Sequence, residues 1–497
     1  MVSLSKKKLS FIVTISLLFV IFFLNRDTSN TFYEDLSTLE ALTTRDSVIT
    51  GELWSEYVSV HEGVEFVAFR GKSLGYSEGG IYFATNIDEV IKLIDADARP
   101  MDPNDNNVID SLKSINLNIN LNPNSSPSEI FRYIDETSYS NNLVLSNGDE
   151  VLAKYYNIGY FVPDYNDALL PPGYIDHINE DRLLIVGGRG PVLIFDSKDE
   201  LLEIVDSNLD EIIKQQEYRA IVDDSDISGR MGVRDLFIDS KENKVLISLI
   251  TRDSNKEDCF GLSIFESDLN STFIEFNLFF TTNSCIGNVN FQLTGGRIQK
   301  YNNQILFSVG SFESDDLSED NNKIDFGKLL LINKDGSYKI YSSGHRNPQG
   351  LFTDNNLIVM SEHGPLGGDE INLIEEGSFY GWPIYNYGIE YDGRDIYKKP
   401  HEPFAAEPLK YYTESIAPSE LFLYKKNHIN YFSNKLLLTT LRATSIYVFD
   451  VDFQSKKVRS EEKIMINKRI RDMSVADNGK ISMITDDGFL IILSKNE

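Results

Sequence analysis

Cysteine and tryptophan are scarce in this chain, two of each in 497 residues. Two cysteines cannot build a disulfide-rich scaffold, and Cys259 and Cys285 lack the paired spacing of a zinc site. Positive charge is short as well: 47 Lys and Arg stand against 76 Asp and Glu, a formal net charge of −29. Phosphate binding needs clustered Lys and Arg to release counterions, so nucleic acid is not an expected partner. The same balance disfavours adsorption to anionic lipid heads. Long apolar runs are missing beyond the first 25 residues, which excludes a polytopic membrane protein. With 41% hydrophobic and 25% charged residues, a mainly disordered chain is excluded too. What is plentiful is Tyr (25), Phe (30) and Gly (32), a mix that leans towards β structure.

The amino terminus reads as an address. Lys6, Lys7 and Lys8 precede an uncharged run from Leu9 to Leu24. As a helix that run spans about 24 Å, a little short of a hydrocarbon core of about 30 Å, with Ser5 and Asn25 able to sit at the interface. A cleaved signal peptide and an uncleaved anchor are the two readings. No small-residue cleavage pattern follows, which favours the anchor. Either way the lysines stay in the cytoplasm and the remainder is exported, to the periplasm if the source is bacterial. Inner-membrane attachment through this helix is therefore expected. Cys259 and Cys285 then face an oxidising compartment, where they either form a disulfide or remain two unrelated buried thiols.

Residues 1–27 are accordingly assigned to the signal or anchor, 28–170 to a small α+β cap or spacer, and 171–497 to the main domain. In the middle region Tyr57 to Phe69 reads as a strand or hairpin. Asn86 to Ala96 has helical spacing at Val90, Ile91, Leu93 and Ile94. Residues 97–128, rich in Asn, Asp, Pro and Ser, read as a long loop. From about 174 short apolar runs recur between turn residues, among them Leu183–Val186, Val245–Ile250, Ile305–Val309, Leu357–Met360, Leu436–Leu438 and Ile481–Ile484. Such lengths are typical of strands, and many come as pairs joined by Gly, Asn or Asp turns, as in INKDGSYKIY. No long helical stripe interrupts them. Repeated hairpins over roughly 320 residues, at about 50 per blade, predict an all-β, six-bladed β-propeller. A pair of sandwiches is the alternative.

The chemistry concentrates in residues 344–388, where a strand (Leu357–Met360) lies between two polar, glycine-rich loops. Gly344, Gly350, Gly364, Gly367 and Gly368 allow tight turns and close approach to a ligand. Pro348 biases Asn347 to an extended conformation. Loops at one end of a ring of strands place polar groups around a central pocket. Carbonyls beside Gly364 and Pro365, near Glu362, Asp369 and Glu370, are hard oxygen ligands that suit Ca²⁺ better than zinc or copper. Elsewhere, Asp223 to Gly232 looks like a calcium loop but lacks the closing glutamate, and reads as a solvated turn.

The succession GHRNPQG, EHGPLGGDEIN and YGWP resembles the PQQ-dependent soluble glucose dehydrogenase and aldose sugar dehydrogenase family, also called glucose/sorbosone dehydrogenases. SIAPSE (Ser415–Glu420), KRIRDMSVADNG (Lys468–Gly479) and GGR (Gly295–Arg297) extend the resemblance over roughly residues 174–497. It implies a six-bladed propeller that holds pyrroloquinoline quinone (PQQ), a planar tricarboxylate, over its central channel. It further implies that Arg346 and Asn347 meet the quinone and that Arg469 and Arg471 hold carboxylates. Arg442 stands where the family usually has lysine, keeping the charge and changing its shape. Gly364 and Pro365 would offer carbonyls to a Ca²⁺ that polarises the quinone. The implied substrate is an aldose, oxidised to a lactone, with electrons passed to an external acceptor.

The pattern breaks at the catalytic pair. The family's general base is a histidine two residues before GGR, and that position is Leu293. An expected aspartate after the next strand is Ser311. Losing a positioned base costs about 10²–10⁴ in rate. His363 and His345 are the available substitutes, with a carboxylate such as Asp369 a weaker alternative. The alternative reading is a non-catalytic propeller that binds a sugar, a glycan or a partner protein.

Overall fold

In the computed structural model the described residues are 139–158, 173–216 (Arg189 apart), 231–253, 259–269, 273–285, 292–312, 324–389 and 405–496, with the backbone of four strands between Leu53 and Ile94. The expected signal or anchor lies outside them. Among the described residues no helix is long and apolar enough to cross a membrane.

Leu53–His61, Val64–Gly71, Gly80–Ala84 and Lys92–Ile94 form one antiparallel sheet in that order. The hairpin expected over Tyr57 to Phe69 is there. The helical spacing seen in Asn86 to Ala96 does not hold at Lys92–Ile94, which is a strand. A short apolar run fits both periods, and pairing with Gly80–Ala84 decides it here.

The rest forms the propeller expected from the hairpins, not a pair of sandwiches. Six blades of antiparallel strands, the first with one short parallel strand at its outer edge, surround a channel. From the centre outward, blade 1 begins Tyr174–His177, Arg182–Val186, Val192–Asp196, Leu201–Ser207 and ends on Phe273–Ile274. Blade 2 is Val233–Asp239, Lys244–Arg252, Phe260–Asp268 and Asn277–Thr281; blade 3 is Gly295–Tyr301, Gln304–Val309, Lys328–Ile332 and Tyr338–Ser343. Blade 4 is Pro348–Asp354, Leu357–Glu362, Asp369–Leu373 and Lys410–Tyr412; blade 5 is Pro418–Tyr424, Lys435–Thr440, Ser445–Asp452 and Lys457–Met465. Blade 6 is Ile470–Val475, Ile481–Thr485 and Phe489–Lys495, completed by Glu150–Asn157 and Tyr139–Val144. The innermost strands touch in sequence around the ring, and the last touches the first.

Strand order explains why the expected boundary at 171 falls inside the propeller. Glu150–Asn157 pairs with Phe489–Lys495 along its whole length. The outer part of the last blade thus comes from residues well before the first blade, which removes an open edge.

Local chemistry fits each layer. The apolar runs are the middle strands, buried on both faces between neighbouring blades, as in Leu436, Leu437 and Leu438. Outer strands face water; Lys457–Met465 carries five charged residues among nine and is mostly exposed, which blunts its edge. Asn243, Asn302, Asn355 and Asn434 sit at the turns between first and second strands of blades 2 to 5, each with φ between 51° and 61°. Asparagine tolerates that left-handed conformation better than other residues with a Cβ. Cys259 and Cys285 form a disulfide with Cα atoms 4.9 Å apart, tying the third strand of blade 2 to the loop after its fourth.

Candidate functional site

Four arginines line one cavity of about 260 Å³ at the end of the channel where the inner strands begin. Arg234 comes from blade 2, Arg346 from the turn entering blade 4, and Arg469 and Arg471 from the start of blade 6. Tyr174, Gln292, Leu293, Thr294, Asn347, Gln349, His363, Gly364, Pro365, Ser415, Ala417 and Leu441 complete the wall. Among the described residues that line it, none is a carboxylate. Gly296 (φ 115°) makes room for Arg234: a Cβ there would lie 2.4 Å from the arginine's own Cβ.

Arg346 is buried and held from several sides. Its Nη1 donates to Gly364 O at 2.7 Å and to His363 O at 3.3 Å, and its backbone N–H donates to Glu362 at 2.7 Å. Its guanidinium lies 5.2 Å from the ring centre of Trp382, a cation–π contact that gives the YGWP motif a purpose. Gly364 accepts no larger residue, because a Cβ would lie 2.2 Å from Gly367 O.

Arg469 and Arg471 share one counter-ion. Asp486 is fully buried and accepts from Arg469 Nε at 2.9 Å and from Arg471 Nε and Nη2 at 2.8 and 2.9 Å. One carboxylate thus orients two guanidinium groups. The sequence reading missed Asp486, since nothing in TDDG marks its side chain as the inward one.

The structure brings Arg346, Asn347, Arg469, Arg471, Gly364 and Pro365 together as expected, and adds Arg234. Arg442 does not join them; it follows the end of a strand, its side chain is exposed, and only its neighbour Leu441 reaches the cavity. His345 is also elsewhere. It is fully buried, with Nε2 against Ser342 Oγ at 2.9 Å, Nδ1 against Glu362 at 3.1 Å and its ring stacked on Tyr380 at 5.0 Å. That makes it a support beneath the loop rather than a group facing a ligand. Leu293 does line the cavity. Ser311 is buried, its N–H donating to Arg346 O at 2.7 Å.

His363 reaches the cavity, and its Nε2 lies 2.6 Å from Pro418 O. A carbonyl only accepts, so Nε2 carries the proton and Nδ1 the lone pair. Burial pushes the imidazolium pKa below its ordinary value, with Asp369 and the Pro418 carbonyl opposing. The ring is therefore neutral at neutral pH.

Under the cavity lies a second feature that the sequence reading did not find. Arg297, the arginine of GGR, is buried. Its Nη1 lies 2.7 Å from Asp235, 2.7 Å from Asp472 and 3.0 Å from Glu420. Nε donates to Gln349 O at 2.5 Å and Nη2 to Arg471 O at 3.3 Å, while the group sits 5.3 Å from the Tyr174 ring centre. Burial raises Asp235 to about 7, with Asp472 adding to the rise and Arg297 opposing it. Glu420 is raised by burial as well, and Arg297 is held charged by the three carboxylates against the pull of its own burial.

This propeller, with an arginine cavity over its channel, defines a class, and the sequence confirms it. Residues 171–492 match the family described as glucose / sorbosone dehydrogenase, and the chain belongs to that family. It is similar to the aldose sugar dehydrogenase YliI of Escherichia coli strain K12, 34% identical over 155 residues, covering 30% of this chain and 41% of the relative. It is also similar to quinoprotein glucose dehydrogenase B of Acinetobacter calcoaceticus, 50% identical over 70 residues, covering 12% of this chain and 15% of that one. The chain spans less than half the length of these curated relatives. In structure it resembles the apo form of the soluble aldose sugar dehydrogenase from Escherichia coli, with a TM-score of 0.55, 20% identity, and coverage of 69% of this chain and all of that one. That likeness concerns the fold.

Proposed function

We propose that this protein is an exported, membrane-anchored, PQQ-binding aldose dehydrogenase that oxidises an aldose at its anomeric carbon to a lactone. One observation carries the reading: four guanidinium groups line a single cavity, in a chain of net charge −29, and none of the described residues in its wall is a carboxylate. Such a wall fits a multiply charged anion, and PQQ is a flat tricarboxylate. Arg234, Arg346, Arg469 and Arg471 would hold its charge, and Asn347, Gln349 and Gln292 would supply neutral hydrogen bonds. Bound there, PQQ would supply a two-electron acceptor for the hydride leaving the sugar, and an external acceptor would then take the electrons. The relative named a quinoprotein supports the same cofactor. Calcium would find carbonyls in the loop at Gly364 and Pro365, with Arg346 already bonded to one of them. Two carbonyls are far short of the six to eight oxygens Ca²⁺ takes, so its binding would depend on oxygens of the guest.

The proton of the anomeric hydroxyl needs an acceptor. Among the described residues of the wall His363 is the one imidazole, with its lone pair at Nδ1 and Pro418 O fixing the tautomer, though burial makes it a weaker base than a free histidine. Export is supported by the Cys259–Cys285 disulfide, since such bonds persist in oxidising compartments.

Leu293 favours a second reading. A leucine in the wall where the resemblance expects the base leaves a cavity built to bind but not to deprotonate efficiently. The full chain titrated with PQQ and Ca²⁺, then assayed for dye reduction with several aldoses, separates the two. Saturable PQQ binding with dye reduction supports the dehydrogenase. Tight binding without turnover on any aldose leaves the binding propeller, and no PQQ binding removes the cofactor assignment.

A further inference from the structure

All six blades meet at one side chain. Arg297, from the first strand of blade 3, touches Tyr174 of blade 1, Asp235 of blade 2, Gln349 of blade 4, Glu420 of blade 5, and Arg471 and Asp472 of blade 6. A propeller closes only if its inner strands converge, and these inner strands converge on a guanidinium.

The three carboxylates present one oxygen each within 4.8 Å of one another. Hard cations such as Mn²⁺ and Ca²⁺ prefer oxygen clusters of this kind, but here Nη1 sits among them at 2.7 to 3.0 Å. Each carboxylate also accepts a backbone N–H: Asp235 from Ile298 at 2.6 Å, Asp472 from Ile175 at 2.9 Å, and Glu420 from Leu421 at 2.7 Å. The cluster is therefore fixed by strands on several sides and does not depend on Arg297 alone for its shape. Three of the partners, Tyr174, Gln349 and Arg471, line the anion cavity directly above.

We propose that Arg297 is the positioning residue of that cavity, a resident cation that stands where a divalent metal would stand among Asp235, Glu420 and Asp472 and fixes the cavity floor to all six blades. For its guest this rests on the PQQ reading; for the cation site it does not. Arg297 is not among the residues that line the cavity, so its effect passes through the placement of Arg471, Gln349 and Tyr174, which are. A guanidinium does this better than an ammonium, because its planar fork reaches two backbone carbonyls and three carboxylates at once.

The test compares full-length wild type with Arg297→Ala and Arg297→Lys, by calorimetric titration with PQQ, thermal unfolding, and Mn²⁺ binding followed by its electron paramagnetic resonance. In Arg297→Ala we expect PQQ affinity to fall by roughly 10- to 100-fold, by analogy with the range seen when groups that orient metal ligands are removed. The variant should also bind one Mn²⁺ more than wild type, and millimolar Mn²⁺ should raise its melting temperature and recover part of the PQQ affinity. Arg297→Lys keeps the charge but loses the fork, so it should regain most of the stability and less of the affinity. A folded Arg297→Ala protein with wild-type PQQ affinity and no added Mn²⁺ site overturns the proposal. If the alanine variant fails to fold, a lysine variant that matches wild type in PQQ affinity overturns it equally. If wild type itself ignores PQQ, the cofactor reading fails while the Mn²⁺ count still decides the cation site.

Discussion

Replacing Arg471 by leucine separates the cavity reading from a reading by motif alone. Arg471 donates Nε and Nη2 to Asp486, whose carboxylate is fully buried. Removing one partner of a buried ion pair costs about 3–5 kcal/mol when the other is left uncompensated. Here Arg469 remains on the same carboxylate at 2.9 Å, though its own side chain is 37% exposed. The loss in stability should therefore be smaller, about 2–3 kcal/mol, or a few degrees in melting temperature. Towards a tricarboxylate guest the variant loses one charge-assisted contact, about 1.5–3 kcal/mol, which weakens binding roughly 10- to 100-fold. Arg442→Leu is the matched control. It removes the same charge from an exposed position outside the cavity, and should change stability by less than about 0.5 kcal/mol. Its PQQ affinity should match wild type. Calorimetric titration with PQQ and thermal unfolding of both variants give all four numbers. Equal losses of affinity in the two variants, or a larger loss at Arg442, would refute the reasoning, because net charge rather than placement would then govern binding.

Other outcomes follow from the same geometry. A chain begun at residue 171 lacks Glu150–Asn157 and leaves Phe489–Lys495 as an open edge; it should aggregate on size exclusion, whereas a chain that keeps residues 139–157 should not. Replacing both Cys259 and Cys285 by serine opens a link across 26 residues of sequence and should cost about 3.5 kcal/mol in denaturant unfolding; no change would mean the link is not formed. Asp235 is raised from 3.8 to about 7 in the folded state, so the native protein holds a proton there that the unfolded chain releases. Its stabilising contribution is complete below about pH 4 and is lost as pH rises through 7. Measured against Asp235→Asn, wild type should lose stability across that window, and parallel curves would refute the assignment. Leu293→His places an imidazole in the cavity wall; with PQQ and Ca²⁺ present it should raise dye reduction by about 10²-fold or more if a missing base limits turnover.

The hairpin rhythm was legible because middle strands are buried on both faces and so read as unbroken apolar runs, as Leu436 to Leu438 does. Inner strands were harder to see. Gly295–Tyr301 carries glycine, arginine and lysine because it faces a channel and other backbones, so its sequence resembles a loop. The glycine-rich motifs pointed to Arg346, Asn347, Gly364 and Pro365, which do line one cavity, since each is placed by local backbone geometry. They could not show that Arg442 points to solvent, that His345 lies under the loop, or that Arg234 swings in over Gly296.

By itself the sequence determined the β class, the blade repeat and a cationic site in an acidic protein, because strand period and charge are properties of neighbours along the chain. Tertiary structure decided which guanidinium groups share a cavity, how residues 139–157 complete the last blade, and that Arg297 joins six strands drawn from the whole propeller. Those facts depend on ring closure, which places residues more than a hundred positions apart within hydrogen-bond distance, and no local pattern records that distance.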